Sequence, residues 1–398
     1  MTPLPDATTV STTPNTDDSL LTAFDEPLDR HAGGSLKWHH RDPDRDVLPM
    51  WLADMDFRAP ACVRRAVAEH ALTGDLGYGA APAAAVDAVS TYLLTAYQWR
   101  IEPEWIVWMP GVVTGLHMTC RLSAGNLVLG PTPVYGPFMT APTQAGKTYA
   151  GIPFTERNDR LELDLDAIPA AAVRDSGLLL FCHPHNPLGR AFDRNELETV
   201  ARFACKHDLV VCSDEIHCGI VLDPRPHIPL ACIDPEIAAR TITLMSPSKT
   251  YNIPGLATAF AIIPNAALRQ RFKAAALGLV PHVNVLGYTA VRAAYAQAQP
   301  WRQALLTYLR QNRDLVEEAV AQNCPGVHMR HVEATYLAWL DVRELQLPDP
   351  VAFFRRAGVV LSAGETFGAD GYVRLNFACP RALLEEGLKR IRTAVQAH

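Results

Sequence analysis

Six short apolar runs recur through the middle of the chain: Ile106–Trp108, Leu127–Leu129, Leu178–Phe181, Leu209–Cys212, Thr241–Leu244 and Ala259–Ile263. They are continuous rather than alternating, which is the pattern of strands covered on both faces. Helical periodicity separates several of them. Leu197, Val200 and Ala204 fall at i, i+3 and i+7, with Asp193 or Asn195 available as the helix cap. Such strand–helix–strand repetition predicts an α/β fold built on a mostly parallel sheet. After Leu286 a long helical region, interrupted at Pro300, leads to a portion of mixed character. There Tyr372–Phe377 alternates as a strand, and Leu384, Leu388 and Ile391 mark a closing helix.

A chain of 398 residues exceeds the size at which one core stops growing, so two domains are expected. Residues 1–20 are rich in Thr, Pro and Asp and hold no aromatic residue, so they read as a disordered tail. The formal charge of -6, without a basic block, argues against nucleic acid as a partner. No apolar stretch reaches the roughly 20 residues of a membrane span, and the first twenty residues lack the basic and apolar regions of an export signal. Nine cysteines scattered without a C-x-x-C pair suit a reducing cytoplasm. A soluble cytoplasmic protein is therefore expected.

In a doubly wound sheet, ligands gather at the carboxyl ends of strands, so polar residues just beyond apolar runs are candidates for chemistry. LLLFCHPHNPLGR leaves Asn186 in a proline-bracketed turn, VVCSDEIH puts Asp214 directly after a strand, and TITLMSPSKTYNIPG carries Lys249 in a loop. Singly, each has an ordinary explanation: a solvated lysine, a capping aspartate, an Asn-Pro turn. His183, His185, Cys212, His217 and Cys218 match no zinc spacing, so no metal is expected, and no cysteine sits in a nucleophilic Cys–His arrangement.

The order Asn186, Asp214, Lys249 resembles the fold-type I pyridoxal 5'-phosphate (PLP) enzymes of the class I/II aminotransferase superfamily. LPMWLADMDF (48–57), GYG (77–79), PHNPLGR (184–190), SDEIH (213–217) and SPSKTYNIPG (246–255) are similar to signatures of its MalY/PatB-type cystathionine β-lyases. The resemblance implies a large PLP-binding domain over 59–289, with a mostly parallel seven-stranded sheet. It also implies a smaller α+β domain formed by 21–58 and 290–398, and a homodimer whose active site lies at the subunit interface.

Residue roles follow from the same resemblance. Lys249 is implied to carry PLP as a Schiff base and then to move the substrate's α-proton. Asp214 pairs with the pyridine nitrogen, and Asn186 donates to the ring oxygen and borders the substrate. Tyr135 stacks on the ring. Val112, Val113 and Thr114 cradle the phosphate at a helix start, Ser246 and Ser248 complete that cradle, and Tyr78 reaches it from the neighbouring subunit. Arg374 leaves the apolar side of its strand and grips the substrate carboxylate, with Ala53 and Asp54 lining the same pocket. Two departures stand out. His217 occupies a cofactor-contact position where many aminotransferases have tyrosine, and NIPGLATAF (252–260) lacks their phosphate-binding arginine. The expected activity is β-elimination from cystathionine or an S-substituted cysteine; transamination of a small amino acid and a regulator-binding role are the alternatives.

Overall fold

The computed structural model describes residues 20–31, 33–39, 46–157 and 160–398. Apart from Leu20, the expected tail of residues 1–20 lies outside the described residues. In chain order the strands are β1 (Leu48–Pro49), β2 (Ile106–Met109), β3 (Leu127–Thr132), β4 (Thr148–Arg157), β5 (Arg160–Leu163), β6 (Ser176–Cys182) and β7 (Val210–Asp214). Then follow β8 (Thr241–Met245), β9 (Ala259–Ile262), β10 (His328–Met329), β11 (Leu337–Asp341), β12 (Val359–Val360), β13 (Ser362–Ala363) and β14 (Tyr372–Asn376).

The large sheet runs in the order β2-β9-β8-β7-β6-β3-β4-β5. Strands β8, β7, β6, β3 and β4 are parallel neighbours, β9 is antiparallel to both of its neighbours, and β5 folds back on β4 as an antiparallel hairpin. The seven expected strands are thus joined by an eighth at the edge. All six apolar runs become strands because each is buried on both faces; Leu178–Phe181 and Val211–Cys212 are fully inaccessible. Strands β4 and β5 carried no such signal, since at this end of the sheet their residues are mostly half-buried or exposed. Helices cover the sheet. The helix Arg194–Lys206 starts at Asp193, whose carboxylate accepts from Glu196 N while the Glu196 side chain accepts from Asp193 N. That reciprocal cap stabilises the helix start by about 1 kcal/mol.

Register positions the chemistry. Cys182 pairs with Asp214 across β6 and β7, and Asp214 pairs with Leu244 across β7 and β8. Three parallel strands therefore end level with one another, and the turns holding Asn186, Asp214 and Ser246–Lys249 leave from one edge.

The second layer is the sheet β10-β11-β14-β13, with β1 paired in parallel to β12. Its core joins both ends of the chain: Phe24, Met55 and Phe57 pack with Leu305, Leu309, Leu337 and Leu375. The expected division at 289/290 falls inside the helix Val285–Gln297, whose Ala290, Ala293 and Ala294 pack with Val63 and Tyr251 of the large layer. Pro300 opens the following helix, Gln299–Asn323, so the break expected there is a junction between two helices.

Candidate active site

A cavity of about 260 Å³ lies at the carboxyl edge of β6, β7 and β8, closed from above by the 51–54 segment and β14. Asn186, Asp214, His217, Ser246, Ser248 and Lys249 all border it. So do Val112, Val113, Tyr135, Arg374 and Ala53.

Lys249 is half-buried, and its Nζ donates to Ala53 O at 2.6 Å. Desolvation pulls its pKa down to about 8, with Asp54 opposing and Arg374 assisting the shift. A substantial fraction of the amine is therefore neutral near physiological pH, the form that attacks a carbonyl. Asp214 is 4% exposed and accepts from Ile216 N at 3.1 Å. Burial pushes its pKa up to about 7, and it forms no ion pair among the described residues. A carboxylate held this way gains from a cation brought to it.

Arg374 is equally buried. Its Nη1 donates to Asn186 Oδ1 at 3.0 Å and its Nη2 to Trp51 O at 2.8 Å, while the guanidinium lies over the Phe367 ring at 4.7 Å. Desolvation lowers its pKa to about 10, and its Nε has no hydrogen-bond acceptor. No carboxylate of the described residues neutralises it, so the site contains a dry cation awaiting an anion. Because Arg374 occupies the Asn186 carbonyl oxygen, the Asn186 amide N–H₂ remains available to the cavity.

The helix Val112–Leu122 begins at Gly111 and points its N-terminus at the cavity. Its first N–H groups have no acceptor within the helix, which makes the end an anion cradle. Val112 and Val113 border the cavity, whereas Thr114, one step further in, does not. Ser248 Oγ makes no hydrogen bond among the described residues, but Ser246 Oγ donates to Thr258 O at 2.7 Å and accepts from Ser248 N. Ser246 thus holds the loop that aims Ser248. Tyr135, 37% exposed, is anchored by its backbone N–H to Asn186 O. His217 is buried against the Tyr336 ring, and desolvation lowers its pKa to about 3, so it is neutral.

Besides Thr114, two expected residues lie outside the lining of this cavity. Asp54 faces a neighbouring cavity on the other side of Ala53 and pairs with Arg30 at 2.6 Å. Tyr78 is wholly exposed on the chain surface near His282.

Sequence reasoning missed the braces. Asn376 Nδ2 donates to Leu52 O and to Asp54 O, Tyr336 OH donates to Ala53 O, and Asn252 Nδ2 donates to Met55 O and Phe57 O. Lys37, buried, donates to Asp56 at 2.6 Å. Only the alternation that put Asn376 on the face of Arg374 hinted at any of these.

The donor set suits PLP on these grounds alone. A helix N-terminus and a free hydroxyl sit at one end of the cavity, an uncompensated carboxylate lies deep within it, and a partly neutral lysine and an unpaired arginine border it. Among the described residues no group of three His, Cys, Asp or Glu could hold a metal ion.

Comparison with known proteins agrees. Residues 47–391 match the family model for aminotransferase class I and II. Cystathionine β-lyase PatB of Bacillus subtilis (strain 168) is 34% identical, covering 94% of this chain and 99% of its own. A crystal structure of OvoB is 44% identical with a TM-score of 0.91, covering 94% of this chain and 99% of its own. The PLP-bound C–S lyase from Staphylococcus hominis is 30% identical with a TM-score of 0.86, covering 94% of this chain and 97% of its own. The chain is therefore a PLP-dependent member of the class I and II aminotransferase family, in the group that contains the PatB-type cystathionine β-lyases.

Proposed function

We propose that this protein is a PLP-dependent C–S β-lyase. It converts cystathionine or another S-substituted L-cysteine, with one water, to a thiol, pyruvate and ammonium. The observation that carries the reading is the pocket in which a half-buried lysine with a depressed pKa faces an uncompensated carboxylate and an unpaired arginine. PLP, when bound, supplies the electron-withdrawing ring that acidifies the α C–H bond and lets the β C–S bond break.

Lys249 would hold the cofactor and, through Nζ, take the α-proton; burial keeps enough of the amine neutral for both tasks. Asp214 would hold a proton on the pyridine nitrogen, and the nitrogen's charge would in turn keep Asp214 ionised despite its burial. The Asn186 amide would donate to the ring oxygen, Tyr135 would cover one ring face, and Val112, Val113, Thr114 and Ser248 would meet the phosphate, with Ser246 fixing their loop. His217, being neutral, packs beside the ring and exchanges no proton near pH 7. Arg374 would receive the α-carboxylate and hold Cα within reach of Lys249. Ala53 would form the adjacent wall, with Asp54 behind it.

A homodimer accounts for Tyr78. Tyr78 is fully exposed, and Leu72, Leu76, Leu277 and Leu279 are exposed as well, apolar side chains of the kind that a partner covers. From there Tyr78 would reach the partner's phosphate site. Nine free thiols suit a reducing cytoplasm, and no helix among the described residues is long and apolar enough to cross a membrane.

The test is direct. Purified holoenzyme given S-methyl-L-cysteine should release pyruvate and methanethiol in equal amounts with no keto acid present. Product that appears only when a keto-acid acceptor is added would show a transaminase instead.

A further inference from the structure

Arg374, Tyr135 and Leu52 border two cavities. One contains Lys249 and Asp214, while the other, of about 490 Å³, extends from Arg374 away from the lysine. The second is walled by Trp51, Pro137, Val360, Leu361 and Phe367, an apolar lining. Its wall is firm. Val134 N donates to Phe367 O at 3.0 Å, and a Cβ on Gly136 would come within 2.9 Å of Thr366 O.

Among the described residues no aspartate or glutamate lines this cavity. Apart from Arg374, the one charged side chain of the described residues there is Arg355, at the end of the helix Pro350–Arg356. The Arg355 side chain forms no hydrogen bond or ion pair among the described residues, in contrast to Arg30 in the cavity behind Ala53, which Asp54 and Asp56 neutralise.

This arrangement bears on the lyase reading and rests on it. With the α-carboxylate on Arg374 and Cα at Lys249, the smaller cavity must hold the reacting atoms and the PLP ring. A long S-substituent therefore needs the adjoining space. We propose that the apolar cavity receives the S-substituent and that Arg355 selects thioethers of cysteine whose apolar S-group ends in an anion. A terminus bearing only an ammonium meets no acidic side chain of the described residues there and faces a like charge, whereas the distal end of cystathionine carries a carboxylate that Arg355 would meet beside its ammonium.

Three substrates of similar length separate the charge states: S-(2-carboxyethyl)-, S-propyl- and S-(2-aminoethyl)-L-cysteine, assayed by pyruvate release from the holoenzyme. The expected order of kcat/KM is acid, neutral, amine, each step about two- to fivefold, the range for a solvated charge pair. Raising the salt concentration should compress the series. Arg355→Gln should bring the acid-to-neutral ratio towards one, and Arg355→Glu should invert the preference in favour of the amine. An exposed position on a helix end keeps both substitutions compatible with folding. Equal kcat/KM for the three substrates, or a preference that survives both substitutions, would overturn the assignment while leaving the lyase reading intact. Failure of all three to yield pyruvate from PLP-loaded protein would overturn both.

Discussion

Replacing Arg374 with methionine should remove activity without loosening the fold. The guanidinium is buried, and the drop of its pKa from 12.5 to about 10 reflects desolvation. That shift corresponds to about 3 kcal/mol against the charged form. For a base whose pKa is depressed on folding, the penalty is present at every pH below about 10 and is relieved only above it. Arg374→Met keeps most of the side-chain volume and removes the charge. It leaves Asn186 Oδ1 without its donor, whereas Trp51 O keeps the Ser362 hydroxyl, at a cost of about 1–2 kcal/mol. The two effects nearly offset, so the melting temperature should hold steady or rise by up to about 2 °C. Substrate binding should suffer far more. A two-pronged charged contact to a carboxylate contributes about 4 kcal/mol, so kcat/KM for pyruvate release should fall roughly 1000-fold. A variant that melts many degrees lower would make Arg374 a structural residue. One that keeps a tenth of wild-type kcat/KM would show that the carboxylate is held elsewhere.

Further tests address the cofactor contacts. The rate at which cofactor-free protein captures PLP should climb with pH and level off above about 8, because only neutral Lys249 attacks; a rate still climbing towards pH 10 would mark an unperturbed lysine. Asp214→Asn should weaken PLP binding by about tenfold or more, read from an absorbance titration, since a charged hydrogen bond becomes a neutral one; unchanged affinity would remove Asp214 from that role. Glu215, buried beside Asp214, accepts from His227 Nε2, Ser213 Oγ and Leu230 N. Glu215→Ala should cost about 3 kcal/mol by urea unfolding and Glu215→Gln clearly less; equal losses would mean that the hydrogen bonds contribute little beyond packing.

Much of this protein was legible in one dimension. The six apolar runs specified six of the eight strands of the large sheet, because a sheet covered on both faces selects apolar residues in mid-strand. Their ends specified where Asn186, Asp214 and Lys249 would emerge, because strand register is tied to burial. Alternation in 372–377 put Arg374 and Asn376 on the polar face. The edge hairpin β4–β5 was silent because a half-solvated strand imposes no such pattern.

What tertiary structure alone decided are relations between residues far apart in the chain. Depressing Lys249 and raising Asp214 required the 51–54 segment and β14 to close over them, and neither burial nor its electrostatic consequence has a local signature. The contact of Arg374 with Asn186 and Trp51, the commitment of Ser246 to Thr258, and the placing of Asp54 behind Ala53 are likewise long-range. Sequence determined which elements form and which side chains leave their edges. Three-dimensional packing determined which of those side chains are dry, charged and unpartnered, because desolvation depends on everything that surrounds a group.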